Sequence, residues 1–406
     1  MNYDLAIAGG GIAGSALATV MARAGKSVLV LEKTTEYPDL VRGEWIAPWG
    51  VIEAKRTGLL DHFVNAGGHY LTRHIGFGEG IDPDAAIAQA LDMSALLPGV
   101  PGPLCLRHPL ACQVLTDAAE AAGATVLRGV THVSLAEGPG LRYTHDFAEH
   151  TATARLVVGA DGRNSVIRTQ AGIPIHRDPT HHLFSGMLVE GAHGWPEDVQ
   201  AKGTEGDVNF LAFPQGKGVV RLYLGYGFEQ KTRLTGPDAP RRFLDAFNLE
   251  SVPWAESIVN ATPISHCHSY PNEDTWTDEP FADGVVLIGD SAGHNDPIIG
   301  QGLSIALRDV RIVSELLLSS EHWNPALFAP YAEERAERMR RLRFAAALQS
   351  ALDSEFTPEA VMRRKRAEER KAADPSLNLV TAGVMVGPEH FPAELFSQAT
   401  WDRILA

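Results

Sequence analysis

The 406-residue chain is poor in cysteine, with only Cys105, Cys112 and Cys267. An odd count this small makes no disulfide framework, and none of the three sits at metal-ligand spacing. Reduced thiols in a cytoplasmic protein are expected. Positive charge is also short: 35 Lys and Arg stand against 50 Asp and Glu, a net charge of −15. Such a chain has no electrostatic footprint for nucleic acid or for an anionic membrane. No apolar run is long enough to span a bilayer. The opening MNYDLAIAGGG lacks the basic and long apolar segments of a secretory leader, so none is expected. His176, His181, His182, His266 and His268 cluster loosely, without the i, i+4 or Cys/His spacing of a metal site, so no metal is expected.

What is present is ordinary globular composition, 45% hydrophobic and 21% charged, in a chain long enough for two or three domains. The first fifty residues are the most informative. Tyr3 to Ala8 form a short apolar run, followed by GGGIAG. Gly9, Gly11 and Gly14 fit G-x-G-x-x-G: the first for a tight turn, the second for close approach of a pyrophosphate, the third for packing of helix on strand. An amphipathic pattern with Ile12, Leu17, Val20 and Met21 apolar then predicts a helix ending near Gly25. A second apolar strand, SVLVLEK, closes on Glu32. The start of such a helix offers free N–H groups and a positive dipole end to phosphate. Glu32, 18 residues after Gly14, is placed to accept hydrogen bonds from ribose hydroxyls. An acid there favours an adenosine with a free 2′-hydroxyl, which means FAD or NAD.

Two later segments narrow the choice. RLVVGADGRNSVIR, from Arg155 to Arg168, reads as a strand, then Asp161-Gly162, then a helix start. VVLIGDSAGHNDPIIGQGLSIALRD reads as a buried strand, Gly289-Asp290, a loop with Pro297, Gly300 and Gly302, then a helix. Its histidine, His294, is a weak candidate for a catalytic group.

The order of these three motifs resembles the FAD-dependent monooxygenases related to para-hydroxybenzoate hydroxylase, the group A flavoprotein hydroxylases. The likeness covers roughly residues 1–60, 100–175 and 278–320. It implies an α/β chain: a Rossmann-like, GR2-type FAD-binding domain, an inserted α+β substrate domain on a mostly antiparallel sheet, and a C-terminal helical segment. The expected boundaries are 1–70, 101–175 and 278–330 for the FAD domain, 71–100 and 176–277 for the substrate domain, and 331–406 for the helical region. The resemblance also implies site roles. Gly9, Gly11, Ile12, Ala13 and Gly14 would line the pyrophosphate turn. Glu32, with Lys33 beside it, would hold the adenosine ribose. Arg42, next to Gly43, and Arg107 would lie along the FAD. Asp161 would orient the fold or touch the cofactor, and Asp290 would hold the ribityl chain. Pro297, Gly300, Gly302, Leu303 and Ser304 would meet the flavin ring, the last three through backbone N–H groups and a helix dipole. The family's usual histidine falls at Gly293 here, displaced by one place to His294, and its usual asparagine falls at Ser304.

The middle of the chain alternates like strands: LTRHIGFGEG, HHLFSGMLVE, DVNFLAFPQ and GVVRLYLGYG, the last two joined by a hairpin signal in PQGKG. The resemblance makes this sheet one wall of the substrate pocket. Phe184, Met187, Phe210, Phe213 and Tyr223, with Trp45, are the candidates; the same residues also suit an ordinary sheet core. From Asn324 the chain reads as helices, with MRRKRAEERKAA a solvated face.

The resemblance implies an enzyme whose flavin does the chemistry. NAD(P)H would reduce a tightly but non-covalently bound FAD, O2 would add as a C4a-hydroperoxide, and an oxygen atom would pass to an apolar, aromatic or polycyclic natural-product intermediate. Only one G-x-G-x-x-G unit is present, so NAD(P)H would bind transiently without a domain of its own. The expected partners are that small molecule, O2 and NAD(P)H; a monomer or a homodimer is compatible. Two cousins share the GDSAG…DP pattern: flavin-dependent halogenases and geranylgeranyl-reductase-like enzymes. Halogenases use a lysine and a W-x-W-x-I-P motif. This chain has no lysine between Lys55 and Lys202, and its seven tryptophans do not form that motif. A flavoprotein reductase or oxidase acting on a lipid or natural-product intermediate is the alternative.

Overall fold

The computed structural model describes residues 2–39, 41 and 43–405. Arg42, expected along the FAD, lies outside them. The apolar run after the amino terminus forms the strand Asn2–Ala8. Val28–Glu32 pairs with it in parallel on one side, and the long strand Ala148–Gly159 pairs in parallel on the other. Thr125–Arg128 and Val285–Leu287 extend this parallel sheet outward. Helices such as Ile12–Arg23 cover one face of this sheet, and the antiparallel strands Thr131–Leu135 and Gly140–His145 cover the other, so its strands bury side chains on both sides; Val28 to Glu32 are buried without a break. The chain order reverses at the first strand, and the crevice beyond its carboxyl end is where ligands of open parallel sheets bind. Gly9 to Gly14 occupy that end.

The second sheet is mostly antiparallel. Its order runs Thr262–Pro263, His182–Glu190, Val219–Gly227, Val208–Gly216, Val199–Glu205, Arg73–Gly78, Leu91–Asp92, and His268–Asn272 pairs with His182–Glu190 on the same edge as Thr262–Pro263. The PQGKG signal is a tight hairpin between Val208–Gly216 and Val219–Gly227. Period-two alternation gives this sheet two buried faces of different character. Phe184, Leu211 and Tyr223 pack toward Val41, Trp45, Ile298 and Ile299. Met187, Phe210, Leu222 and Tyr226 pack the other way, against Phe243, Phe247 and Ile258.

The C-terminal residues form helices, the longest Ala329–Asp353. Among the described residues no helix is long and apolar enough to cross a membrane.

Candidate active site

The glycine turn is built by close approach. Gly9 has φ +101°, and a Cβ there would lie 2.3 Å from the Ala160 carbonyl oxygen. A Cβ on Gly14 would lie 1.9 Å from the Gly9 carbonyl oxygen, so only glycine lets the helix Ile12–Arg23 start against the strand. Gly11 differs: nothing lies within 4 Å of its absent Cβ. It leaves open space in front of a helix start that has no side-chain cap. Free N–H groups at such an end suit a phosphate anion.

Glu32 ends the second strand beside this turn and is buried. Its Oε2 accepts the Gly10 N–H at 2.7 Å. Its Oε1 accepts the Thr34 N–H at 2.8 Å and the Thr34 hydroxyl at 2.7 Å. Three of about four acceptor positions on the carboxylate are thus taken. The acid braces the turn and keeps capacity for one further donor. Lys33 points outward and is exposed.

The other motifs converge on the same edge. A Cβ on Gly289 would touch the Ala13 side chain at 3.1 Å. Asp290 is half-exposed and pairs with Arg163 at 3.5 Å. Asp161 lies behind Gly9, but its carboxylate is turned into its own segment. It accepts from the Ser165 hydroxyl, the Val166 N–H and the Ile167 N–H, and so caps the helix Val166–Gln170. Arg168 ties this segment to the loop, donating to the Ser291 carbonyl at 2.8 Å.

The helix Gly302–Ser319 starts at the end of the loop, again without a side-chain cap, and nothing lies within 4 Å of an added Gly302 Cβ. A Cβ on Gly43 would contact Leu303 at 3.5 Å, and one on Gly300 would contact the Trp45 ring at 3.2 Å. The Ser304 hydroxyl is buried and accepts the Ala47 N–H at 3.1 Å. It fixes the first helical turn to the Trp45 segment and leaves the backbone N–H groups for a ligand. Arg107 is half-exposed and lies 3.7 Å from Asp39. Gly11, Gly43, Pro297, Gly300 and Gly302 thus remain accessible along one edge, between two uncapped helix starts. This donor-rich, glycine-lined edge fits an FAD: phosphates at the first helix start and a flavin ring at the second.

The substrate wall divides. Trp45, Phe213, Tyr223 and Phe184 form a chain of ring contacts with centroid separations of 6.1 to 6.3 Å, and Tyr270 extends it at 6.5 Å from Phe184. Met187 and Phe210 do not belong to this wall. They lie on the opposite face of the sheet, because residues of opposite parity in a strand point to opposite sides. The grouping of all five on one side is corrected for these two.

Several residues of the site were not read from the sequence. Arg221 is fully buried on the face shared with Tyr223; it donates to both oxygens of Glu44 and to Asp39. The odd signal was a lone arginine in the alternating run VVRLYLGYG. Two carboxyl groups are buried under the loop. Burial pushes Asp274 up to about 6 and Asp296 up to about 7. Asp296 directly precedes Pro297, and its Oδ1 accepts from the Ile298 N–H and from Asn272. Asn272 also donates to His182, whose pKa burial lowers to about 3. Asp274 follows the strand His268–Asn272 closely, but Asp296 and His182 lie 24 and 90 residues from Asn272, so no local pattern marked the group.

The chain matches the FAD binding domain family over residues 2–346. The curated 3-demethoxyubiquinol 3-hydroxylase of Escherichia coli is 26% identical over 366 residues, 86% of this chain and 88% of that protein. Digeranylgeranylglycerophospholipid reductase 1 of Methanococcoides burtonii is 26% identical over 319 residues, 75% of this chain and 72% of that protein. The solved structure of PqsL from Pseudomonas aeruginosa is similar with a TM-score of 0.73 at 22% identity, covering 87% of this chain and 97% of that one. The glycine turn, the acid at the second strand end and the uncapped ring-side helix thus agree with a family match that spans most of the sequence. The chain belongs to the FAD binding domain family, and within it to the group A flavoprotein monooxygenases.

Proposed function

We propose that this enzyme uses NAD(P)H and O2 to hydroxylate or epoxidise an apolar, aromatic or polycyclic small molecule. The carrying observation is the aromatic wall of Trp45, Phe213, Tyr223, Phe184 and Tyr270, packed in one cluster with Ile298 and Ile299 of the flavin loop. Bound FAD would supply the redox chemistry and the activation of O2. The chain's own residues do the rest. Gly11 and the helix start after it hold phosphate; Asp290 holds the ribityl chain; the start of Gly302–Ser319 steadies negative charge on the ring. The aromatic wall keeps water away and presents an apolar surface to the substrate. Asp296 carries a proton near neutral pH beside Pro297. NAD(P)H visits without a dinucleotide fold of its own. Two buried cysteines and a third without a disulfide suit a reducing, cytoplasmic setting.

The test is direct. Purified protein should be yellow, should oxidise NADH or NADPH faster with the right substrate, and should place one atom of labelled O2 in the product. A second reading has its own support in the reductase of Methanococcoides burtonii: a flavoprotein that reduces a lipid or natural-product intermediate without oxygen. Product formed at full rate in the absence of O2 would establish that reading and exclude the monooxygenase.

A further inference from the structure

Tyr270 stands in the strand His268–Asn272, directly opposite Phe184 in the antiparallel pairing, so both rings leave the sheet on the side of the aromatic wall. Its neighbour Ser269 points to the other side. There it helps satisfy the buried Tyr226 hydroxyl, which lies 2.8 Å from the Ser185 hydroxyl and 3.1 Å from that of Ser269. The two phenols therefore differ. Tyr226 is sealed in the far core with partners. Tyr270 is only half-buried, and its hydroxyl makes no hydrogen bond among the described residues. Nor is its oxygen enclosed by protein, as the unpartnered Nε2 of His294 on the flavin loop is.

The surroundings say where this hydroxyl lies. Tyr270 packs on the cluster that joins Trp45, Phe184 and Tyr223 of the wall to Ile298 and Ile299 of the flavin loop. The charged groups that bear on it come from three elements: Arg163 beside Asp290, Arg221 on the sheet, and Asp296 before Pro297. The two nearest the wall are already engaged. Arg221 is held by Glu44 and Asp39, and Asp296 accepts from Asn272 and the Ile298 N–H. Burial raises the pKa of the phenol, so it keeps its hydrogen and can donate.

A tyrosine set in an apolar surface offers a ring for contact and an O–H that normally finds a partner. Between the wall and the flavin loop the protein supplies none. We propose that Tyr270 is a specificity-determining residue, donating a hydrogen bond to a hydroxyl or carbonyl oxygen carried by the ring of the substrate. A bare hydrocarbon or an isoprenoid chain would leave that O–H unpaired, and sites built to bond a substrate oxygen discriminate against analogues that lack it. The bond also fixes how the ring lies against the wall. The inference rests on the monooxygenase reading above and narrows its substrate to oxygen-bearing aromatic molecules.

The test uses FAD-loaded protein and two matched pairs of probes, β-naphthol with naphthalene and para-hydroxybiphenyl with biphenyl, whose members differ by one hydroxyl. Dissociation constants are read from the change in flavin absorbance for wild type and Tyr270→Phe, beside the melting temperature of each. Wild type should bind the hydroxylated member of at least one pair about tenfold more tightly than its hydrocarbon. Tyr270→Phe should erase that preference while hydrocarbon affinity and melting temperature hold. Absence of a preference in wild type, or of any probe binding, overturns the proposal. So does a preference that survives in Tyr270→Phe. Equal weakening of both members together with a lower melting temperature overturns it as well, being the mark of a structural role. Turnover is measured separately: protein that shows the Tyr270-dependent preference but places no labelled oxygen in any product keeps this site and loses the monooxygenase reading.

Discussion

At the scale of single residues, the loop before the ring-side helix holds more buried polarity than a turn requires. Asp274 accepts the Asp296 N–H at 2.9 Å and the Asn295 amide at 2.6 Å, yet among the described residues no cation is hydrogen-bonded to either acid. Burial disfavours both carboxylates, and the charge of Asp274 adds to the cost of ionising Asp296, as that of Asp178 does for Asp274. The consequence for stability has a definite sign. Both folded-state values lie above the unfolded value, so the acids hold protons in the folded state that the unfolded chain has already released. Their contribution is fully present below about pH 4, declines as pH rises toward 7, and is flat above that. Asp296→Asn keeps an acceptor for the Ile298 N–H and removes the titration. Apo-protein carrying it should gain on wild type by roughly 1–3 kcal/mol between pH 4.5 and 7.5. Melting temperatures recorded across that range decide the matter, and parallel curves for the two proteins would show that Asp296 is ionised throughout.

At the scale of elements, the capping sheet works as a partition. One face carries the aromatic wall toward the flavin loop; the other carries a core closed by the helices Ala239–Asp245 and Ala255–Val259. A large-to-small change should therefore act differently on the two sides. Phe210→Ala opens a cavity in the far core and should lower stability by about 3–5 kcal/mol, with KM for substrate little altered in the protein that remains folded. Phe184→Ala on the wall should raise KM and lower the fraction of NAD(P)H consumption that yields product. Steady-state kinetics beside a melting curve separates the two, and equal KM changes in both variants would refute the partition. The contrast also marks where sequence reading stopped. Gly9, Gly14 and Glu32 were legible because the turn, its helix and its strand lie within thirty residues, and each glycine has a steric reason. The faces of the sheet were not, since alternation tells which residues share a side but not which side meets the flavin. Arg221 makes the point: its partners Asp39 and Glu44 lie 182 and 177 residues away, and only the fold brings them together.

At the scale of the whole molecule, the long helix Ala329–Asp353 is what holds the loop of Asp290 to Pro297 in shape. Arg335, fully buried on Ala329–Asp353, donates Nη1 to the Ala292 carbonyl at 2.8 Å and Nη2 to the Gly293 carbonyl at 2.9 Å, with Gly289 at 3.2 Å. Its Nε faces Asp309 of the ring-side helix at 3.2 Å, and the same Asp309 oxygen accepts the Gly289 N–H at 2.9 Å. Arg338 takes the other Asp309 oxygen at 2.7 Å, and Tyr331 donates to the Leu287 carbonyl at 2.9 Å. One guanidinium thus bonds three carbonyls of the loop that carries Asp290 and His294, and it does so from a helix that the flavin motifs do not include. The planar fork of arginine suits this work and an ammonium does not. Arg335→Leu would strand the Gly293 carbonyl in the interior and take one cation from buried Asp309, and should cost on the order of 3–5 kcal/mol, with FAD affinity falling alongside. Arg335→Lys should lose less stability, since it keeps the charge beside Asp309, but should still bind FAD more weakly because it cannot reach all three carbonyls. Thermal melting and FAD titration of both variants read this out. Full FAD affinity in Arg335→Leu would mean that the loop keeps its shape without the C-terminal helix.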